Sequence, residues 1–453
     1  MTILKNMLKV KIFPLKYTIL IILLFTGLLS ISASPLNSLK LLFPENTEIR
    51  QMFYDKMTGT NKEAMSTLPE WRVIEETGVR VNFFTTIESH DDGKYIYFSF
   101  SHKSDLKFDQ GSIGSYIIKR SLDEYDNINF GIKQIKIFYK NNDNSFIRII
   151  PAVDNNESLM EIQLYGKTMQ KDIRVPLSLS EISKISFTEL ANLTSNYVNW
   201  NFYISDYKKL YGDDVRVLSN TIAPLLYYLK DKDDGAIDQA GNFVFINSLN
   251  NQIKDGGLNC SGFVKWIADG LYKASTGENI DIAFLKEKHY DLRGNKWSEK
   301  LEIEKDPYFG LDWTRNLAYE ILKLQEPDAH LISVDVNSLH YETYRANIGF
   351  PLENIKTILY ELAVIHPHDF YLGSLNCKSK EPPYLREHTH VLALFPYIDQ
   401  QNNFQVVVYS RNKKISLDYL KSHWKDYYIH LVKIEASPNF EPSGVNLNPV
   451  LRR

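Results

Sequence analysis

Short runs that alternate between apolar and polar residues dominate the first half of the chain. Strand-type patterns occur at 81–87, 94–100, 134–139, 146–150, 159–165 and 173–177. They are rich in aromatic and β-branched residues, and the Asn-Asn-Asp-Asn stretch at 141–144 separates two of them as a hairpin turn would. A short helical or mixed segment follows at 180–192. The pattern predicts a β-rich domain over residues 35–205, with its boundary near Ser205.

The periodicity changes in the second half. Apolar residues recur at helical spacing over 218–229, 263–274, 313–324 and 351–364, and strand patterns return at 391–398, 404–410 and 427–434. Helices followed by consecutive strands are typical of an α+β domain with an antiparallel sheet. We therefore expect residues 206–453 to form a second, α+β domain, with a helical insert around 275–354.

The N-terminus has the pattern of an export signal. Lysines precede an uncharged apolar run from Ile19 to Ile31, and small residues follow up to Ser34. This order is typical of a secretory signal peptide, and the run is short for a membrane-spanning helix. Residues 1–34 are therefore expected to be a signal peptide, with an uncleaved anchor as the alternative. The protein is expected to be periplasmic, secreted or associated with the cell envelope.

Composition narrows the function classes. The 453 residues carry a formal net charge of −3, which provides no basic surface for nucleic acid. The two cysteines, Cys260 and Cys377, lack the spacing of a metal site, so no metal or other cofactor is expected. Cys377 lies in a polar stretch that predicts a loop. It is interpreted as a spare thiol or as a partner for a disulfide with Cys260 that would inactivate the site.

Cys260 has the sequence context of a nucleophile. Gly256 and Gly257 form a flexible approach, Asn259 is a good helix N-cap, and helical periodicity begins just after it. A cysteine in the first turn of a helix lies near free backbone N–H groups and the positive end of the helix dipole, which favour thiolate over thiol. The alternative is a small buried hydrophobic residue at a helix start. Cys260 is the predicted nucleophile.

The stretch Asn259-Cys260-Ser261-Gly262-Phe263-Val264 resembles the Asp-Cys-Ser-Gly-Phe-Val motif of NlpC-type cysteine peptidases. These are papain-like hydrolases that cut peptide bonds in peptidoglycan. The resemblance covers only patches of the chain after Gly241, and Asn259 replaces the usual Asp. It implies a papain-like domain in which the helix carrying the cysteine packs on an antiparallel sheet. It also implies an exported endopeptidase or amidase that forms an acyl-enzyme with a cell-wall peptide or another amide substrate.

A thiol nucleophile needs a general base, and His390 is the preferred candidate. It stands at the head of the apolar run 391–395, which resembles the family's His-Val-Gly-Ile-Tyr strand. His388 is the rival, because residues two apart on a regular strand face the same way. His366 and His368 could form a metal set with these two histidines, but polar loop histidines are the preferred interpretation.

In the family, a polar residue on the next strand orients the histidine. A turn centred on 400–401 would bring Arg411 and its neighbours opposite His390. Ser410 and Asn412 are then the candidates, while Gln405 lies too close to the turn. Asn412 is preferred because its amide oxygen can accept the imidazole N–H, although an ordinary Asn at a strand end fits equally well.

Three functions remain open at this point. The first is the cysteine hydrolase with Cys260, His390 and Asn412. The second is another papain-like reaction, such as acyl transfer or lipid-amide hydrolysis. The third is a catalytically silent envelope-binding protein whose β-rich domain binds the surface.

Overall fold

The fold is described from a computed structural model, which defines residues 43–59, 70–74, 79–102, 112–123, 125, 131–204, 213–253, 255–293, 300, 302, 305–380, 382 and 384–444. The expected signal peptide, residues 1–34, lies outside these ranges. Within them, no helix is both long enough and apolar enough to span a membrane.

The N-terminal unit is built on one antiparallel sheet. Its eight described strands pair strictly in chain order, each with the next. The strands are β1 (Glu70–Ile74), β2 (Val79–His90), β3 (Gly93–His102), β4 (Tyr116–Leu122), β5 (Gln134–Phe138), β6 (Phe146–Pro151), β7 (Ser158–Leu164) and β8 (Lys167–Val175).

Short helices cover one face of this sheet. They are α1 (Thr47–Met52), α2 (Tyr54–Thr58), α3 (Leu179–Ile182), α4 (Phe187–Thr194) and α5 (Trp200–Tyr203). Ser178 and Ser186 start α3 and α4 with complete capping boxes, which explains why the ambiguous 180–192 segment forms two helices. Alternate residues of the strands, such as Ile96, Ile135 and Ile149, pack with these helices in one hydrophobic core.

The second unit begins with helices and a small hairpin. Its helices are α6 (Asp213–Ile222), α7 (Cys260–Thr276), α8 (Ile282–Leu285), α9 (Phe309–Gln325), α10 (Ile355–Ile365) and α11 (Leu417–His423). Short 3-10 turns lie at Ala223–Tyr228, Tyr290–Leu292, Leu331–Val334 and Leu352–Asn354. The hairpin joins β9 (Gly235–Ile237) to β10 (Phe243–Phe245).

A six-stranded antiparallel sheet forms the centre of this unit. The strands are β11 (Phe350–Pro351), β12 (Asp369–Lys378), β13 (Arg386–Ile398), β14 (Phe404–Ser410), β15 (Lys413–Ile415) and β16 (Tyr428–Glu435). Their order across the sheet is β11-β16-β12-β13-β14-β15. The predicted α+β class with antiparallel sheets is confirmed. The sequence patterns missed β1, β4, the β9–β10 hairpin, β11, β12 and β15.

The two faces of the six-stranded sheet pack in separate cores. Val391, Ala393 and Phe395 of β13 pack in the core that contains the apolar side chains of α7 and α9. Leu392 and Leu394 point the other way and pack with α10 and α11. We call these surfaces the α7 face and the α10 face. The alternation of β13 decides which side chains can reach Cys260 at the start of α7.

Candidate functional site

The start of α7 has the predicted geometry. The helix begins at Cys260, and Asn259 is its N-cap in extended conformation, with Oδ1 accepting a hydrogen bond from the Gly262 N–H at 2.8 Å. Cys260 is half-buried, packs against the core of the α7 face and is a free thiol. The predicted N-cap and helix start at Cys260 are therefore confirmed.

The glycines around Cys260 permit close packing rather than flexibility. A Cβ atom at Gly257 would lie 2.7 Å from the Lys230 carbonyl oxygen, and one at Gly256 would lie 2.3 Å from the Phe243 ring. Neither has a positive φ. At Gly262 a Cβ atom would lie 2.0 Å from the Gly235 carbonyl oxygen, so the first turn of α7 rests directly on the backbone of β9. The interpretation of Gly256 and Gly257 as a flexible approach was wrong.

A cation lies near the thiol. Arg411 is in the turn between β14 and β15, and its Nη1 donates to the Asp231 carboxylate at 2.6 Å. Asp231 forms a bridge with Leu258, two residues before Cys260. The pKa of Arg411 is raised, first by its hydrogen bond with Asp231 and to a smaller extent by its electrostatic interaction with Cys260. Its φ of +52° is uncommon for a residue with a Cβ atom, so the turn holds Arg411 in a restrained position.

A β-bulge separates the two histidines of β13. Leu375 of β12 pairs with His390, but the next residue, Asn376, pairs with His388, so Thr389 is an extra residue on β13. One extra residue reverses the alternation of side chains. His388 and His390 therefore lie on opposite faces of the sheet, although they are two positions apart.

His390 lies on the α10 face, away from Cys260. Its ring stacks on Trp424 with centroids 5.1 Å apart, and its Nε2 lies 2.8 Å from the Ser410 hydroxyl. Burial, and then the charges of Arg411 and His423, lower the pKa of His390 to about 4. The expected pairing of His390 with Cys260 is corrected by this geometry, because the sheet lies between the two side chains.

Asn412 does not orient His390. Its Nδ2 donates to the Leu229 carbonyl at 2.8 Å, and its Oδ1 is buried without a hydrogen-bond partner among the described residues. The β13–β14 register pairs Ala393 with Tyr409, one position off the register that a turn at 400–401 would produce. The partner of His390 is Ser410, the other candidate from the sequence.

His388 lies on the α7 face. Its Nδ1 is 2.8 Å from the Ser374 hydroxyl, and its Nε2 is 3.1 Å from the Asn347 carbonyl oxygen. Ser374 pairs with Val391 across β12 and β13. A Cβ atom at Gly310, in the first turn of α9, would touch both of these side chains. The ring of His388, which contacts Ser374, therefore lies below α9. Burial, then the nearby His430, lower the pKa of His388 well below its usual value, which keeps the ring neutral.

A cleft of about 640 Å³ opens between the starts of α7, α9 and β13. Asn259, Phe309 and His388 are among the residues that line it. Its wall carries ion pairs such as Lys305 with Glu387, whose Nζ and carboxylate oxygen are 2.7 Å apart. The N-cap of the Cys260 helix and the buried histidine of the α7 face thus share one opening to solvent. Among the described residues, no histidine forms a hydrogen bond with the Cys260 thiol.

The remaining candidates lie apart. Cys377 is also a free thiol and is part of β12 rather than of a loop. His366 and His368 both lie just before the start of β12. His388 pairs with Asn376 near the end of that strand, about 26 Å from His368 at 3.3 Å per residue. The part of the chain that the structure describes contains no group of three or more His, Cys, Asp or Glu residues arranged to hold a metal ion.

Sequence reasoning missed two residues of this region. Arg411 was named only as a residue opposite His390, and its pairing with Asp231 has no sequence signal. Ser374 lies in the middle of a strand and is fully buried. It becomes noticeable only when β12 and β13 are placed side by side.

Comparison with known proteins bears mainly on the N-terminal unit. The model of a family described as a domain of unknown function (DUF8515) matches residues 40–202. The match spans the eight-stranded sheet and its helices, and it includes no residue of the six-stranded sheet. No curated protein and no solved structure matches the chain significantly.

Proposed function

We propose that the chain is an exported cysteine hydrolase of papain-like type that cleaves cell-wall peptides or a related amide, with Cys260 as nucleophile. One observation carries the proposal: Cys260 is the first residue of a 17-residue helix that packs on an antiparallel sheet, beside a solvent-open cleft. The free backbone N–H groups of the helix start and the charge of Arg411 both lie near this thiol. The NlpC-like motif supports the choice of substrate.

His388 is the base in this proposal. It is on the same sheet face as α7 and lines the cleft with Asn259, whereas His390 is on the opposite face. The Cys260 thiol proton passes to Nδ1 of His388, which must first turn from Ser374 towards the cleft. The thiolate attacks the amide carbonyl carbon, a C–S bond forms and the C–N bond breaks. The proton of His388 passes to the leaving amine, and water then hydrolyses the thioester.

A second candidate is a binding protein without catalytic activity. It is favoured by a specific observation, namely that both ring nitrogens of His388 already have partners, Ser374 and the Asn347 carbonyl. In that case the cleft would bind an envelope component, and Cys260 would be a packing residue.

Alkylation of the two free thiols tests the nucleophile. The wild-type protein is treated with iodoacetamide under native conditions, and the modification of Cys260 and of Cys377 is followed by mass spectrometry. The hydrolase proposal expects Cys260 to react faster than Cys377, which serves as the internal control. Equal, slow modification of both cysteines would contradict it.

Digestion of purified peptidoglycan, with fragments identified by mass, tests the substrate. Cys260→Ser and His388→Ala are expected to lose cleavage while keeping the wild-type melting temperature within a few degrees. His390→Ala is the matched control, because this histidine belongs to the same strand but faces away from the cleft. Cleavage that survives Cys260→Ser, or that is lost in His390→Ala and not in His388→Ala, would refute the assignment.

A further inference from the structure

The segment Tyr341–Gly349 connects the two units of the chain. At its first end, Lys167 Nζ of the N-terminal sheet donates to the Tyr341 carbonyl at 2.9 Å and forms an ion pair with Glu342. The Tyr341 ring packs against Phe202 of α5 with centroids 4.9 Å apart. The N-terminal unit therefore holds this end by a charge pair and by aromatic packing. We call the segment the bridging segment.

The other end of the bridging segment enters a buried polar cluster on the α7 face. Asn347 Oδ1 accepts a hydrogen bond from Arg315 at 2.8 Å, and its backbone carbonyl contacts His388 Nε2 at 3.1 Å. Arg315 is itself held by Asp335 through two hydrogen bonds of 3.0 and 2.7 Å. The Tyr344 hydroxyl lies 3.1 Å from His430 Nε2.

The backbone at this end has little freedom to shift. Asn347 has a φ of +58° and Gly349 a φ of +88°, and a Cβ atom at Gly349 would lie 2.0 Å from the Ile429 carbonyl oxygen. Asparagine and glycine are the residues that adopt this conformation most readily. The Asn376 side chain also donates to the Ile348 carbonyl at 2.8 Å. The Asn347 carbonyl can therefore move only together with the whole turn and the bridging segment that carries it.

This carbonyl determines where the proton of His388 resides. A carbonyl oxygen only accepts hydrogen bonds, so the 3.1 Å contact requires that Nε2 carries the hydrogen. In the neutral ring Nδ1 then has the lone pair, and it accepts the hydrogen bond from the Ser374 hydroxyl. The atom left basic is the one that the proposed reaction uses.

We infer that the N-terminal unit positions the base of the second unit. Lys167 and Phe202 fix one end of the bridging segment, and the segment in turn fixes the Asn347 carbonyl. That carbonyl sets the Nε2–H tautomer of His388. Lys167, Tyr341 and Ser374 are positioning residues in this scheme. The catalytic meaning of the inference rests on the proposed function, whereas the tautomer itself does not. The inference gives the DUF8515-like unit a physical role, which is to order the cleft of its neighbour.

Nitrogen-15 chemical shifts of the histidine rings test the tautomer directly. The full chain is labelled at its 11 histidines, and the His388 signals are assigned by their loss in His388→Gln. The wild-type protein is expected to show a protonated Nε2 and an unprotonated Nδ1 at neutral pH. An Nδ1–H tautomer or an imidazolium would overturn the inference.

Variants of the anchor test the coupling. Tyr341→Ala and Lys167→Met are expected to give mixed tautomers or exchange-broadened His388 signals while the sheet remains folded by circular dichroism. Arg148→Met is the matched control, since it removes another ion pair, with Glu161, from the same N-terminal sheet and does not touch the bridging segment. His388 signals that are unchanged in both anchor variants would overturn the inference.

Alkylation of Cys260 in the same variants separates the inference from the proposed function. If both are correct, the anchor variants slow alkylation at pH 7 by about tenfold, a fraction of the roughly 10²- to 10⁴-fold that a positioned base contributes. If Cys260 never reacts faster than Cys377 while the tautomer still responds to Tyr341→Ala, the proposed function fails and the coupling stands. If Cys260 is reactive and neither its rate nor the tautomer changes in the anchor variants, the coupling fails and the function stands.

Discussion

Replacement of Gly262 by alanine brings two physical effects into opposition. The residue lies in the first turn of α7, two positions after Cys260, and alanine is favoured over glycine within a helix by about 1 kcal/mol. Helix propensity alone therefore predicts a more stable protein. Packing predicts the opposite, because this turn rests on the backbone of β9.

The distances decide which effect is larger. The new methyl group would lie 2.0 Å from the Gly235 carbonyl oxygen and 2.9 Å from the Ala236 Cα. Both neighbours are backbone atoms, and the same carbonyl already accepts the Asn259 N–H at 3.0 Å. Relief of the contact requires a shift of about 1 Å between the helix and the strand, and overpacking of this kind costs about 1–3 kcal/mol or more. We expect Gly262→Ala to be destabilised by roughly 1–2 kcal/mol after the gain in propensity.

Gly270→Ala is the matched control in the same helix. It has the same gain in propensity, but its methyl group would lie 2.2 Å from Cε2 of Phe440, an atom at the end of a side chain. A ring at the edge of the core can turn aside, whereas a strand backbone cannot. The loss of stability is therefore expected to be clearly smaller than in Gly262→Ala.

Urea unfolding, followed by both tryptophan fluorescence and circular dichroism, measures the difference. Two probes are needed because a chain with two sheets need not unfold in one step. Alkylation of Cys260 should also slow in Gly262→Ala, since the start of α7 is displaced. A Gly262→Ala protein at least as stable as the wild type would refute the close approach of α7 to β9.

Three further results are expected. Lys265→Met should lower the free energy of unfolding in urea by about 3–5 kcal/mol, because it leaves the buried Asp269 without its cationic partner. Adding Asp269→Leu should restore most of the loss, and no recovery would argue against this account. Tyr360→Phe removes a 2.6 Å hydrogen bond to the Phe202 carbonyl between the two units, so it should lower the free energy of unfolding by about 1 kcal/mol. The substitution would have no effect if the units do not pack there. Burial raises the pKa of Asp335, but its histidine and arginine partners outweigh that effect and hold the pKa at about 2. The Asp335 carboxylate therefore contributes roughly 2 kcal/mol of stability above about pH 4, and this contribution is lost as the pH falls towards 2. The difference in urea midpoint between pH 5 and pH 2.5 should be smaller in Asp335→Asn than in the wild type. An unchanged difference would show that the pairing is absent.

Sequence patterns predicted an element correctly where the interactions that form it join residues a few positions apart. The alternation in 134–150 predicted the hairpin that appears as β5 and β6, and the cap at Asn259 predicted the start of α7 within one residue. Capping and alternation depend on residues a few positions apart, so both can be read from the chain. The strand β12 was harder to predict, because a strand in the middle of a sheet is buried on both faces and lacks an alternating pattern.

The sequence by itself determined that Cys260 starts an amphipathic helix, that the second unit is α+β with an antiparallel sheet, and that two histidines lie close together on one strand. Only the tertiary structure decided which histidine shares a face with that helix. The pairing of Leu375 with His390 and of Asn376 with His388 places one extra residue on β13. That bulge arises from the pairing of two strands, so neither strand shows it alone. It turns His390 towards Trp424 and leaves His388 beside the cleft.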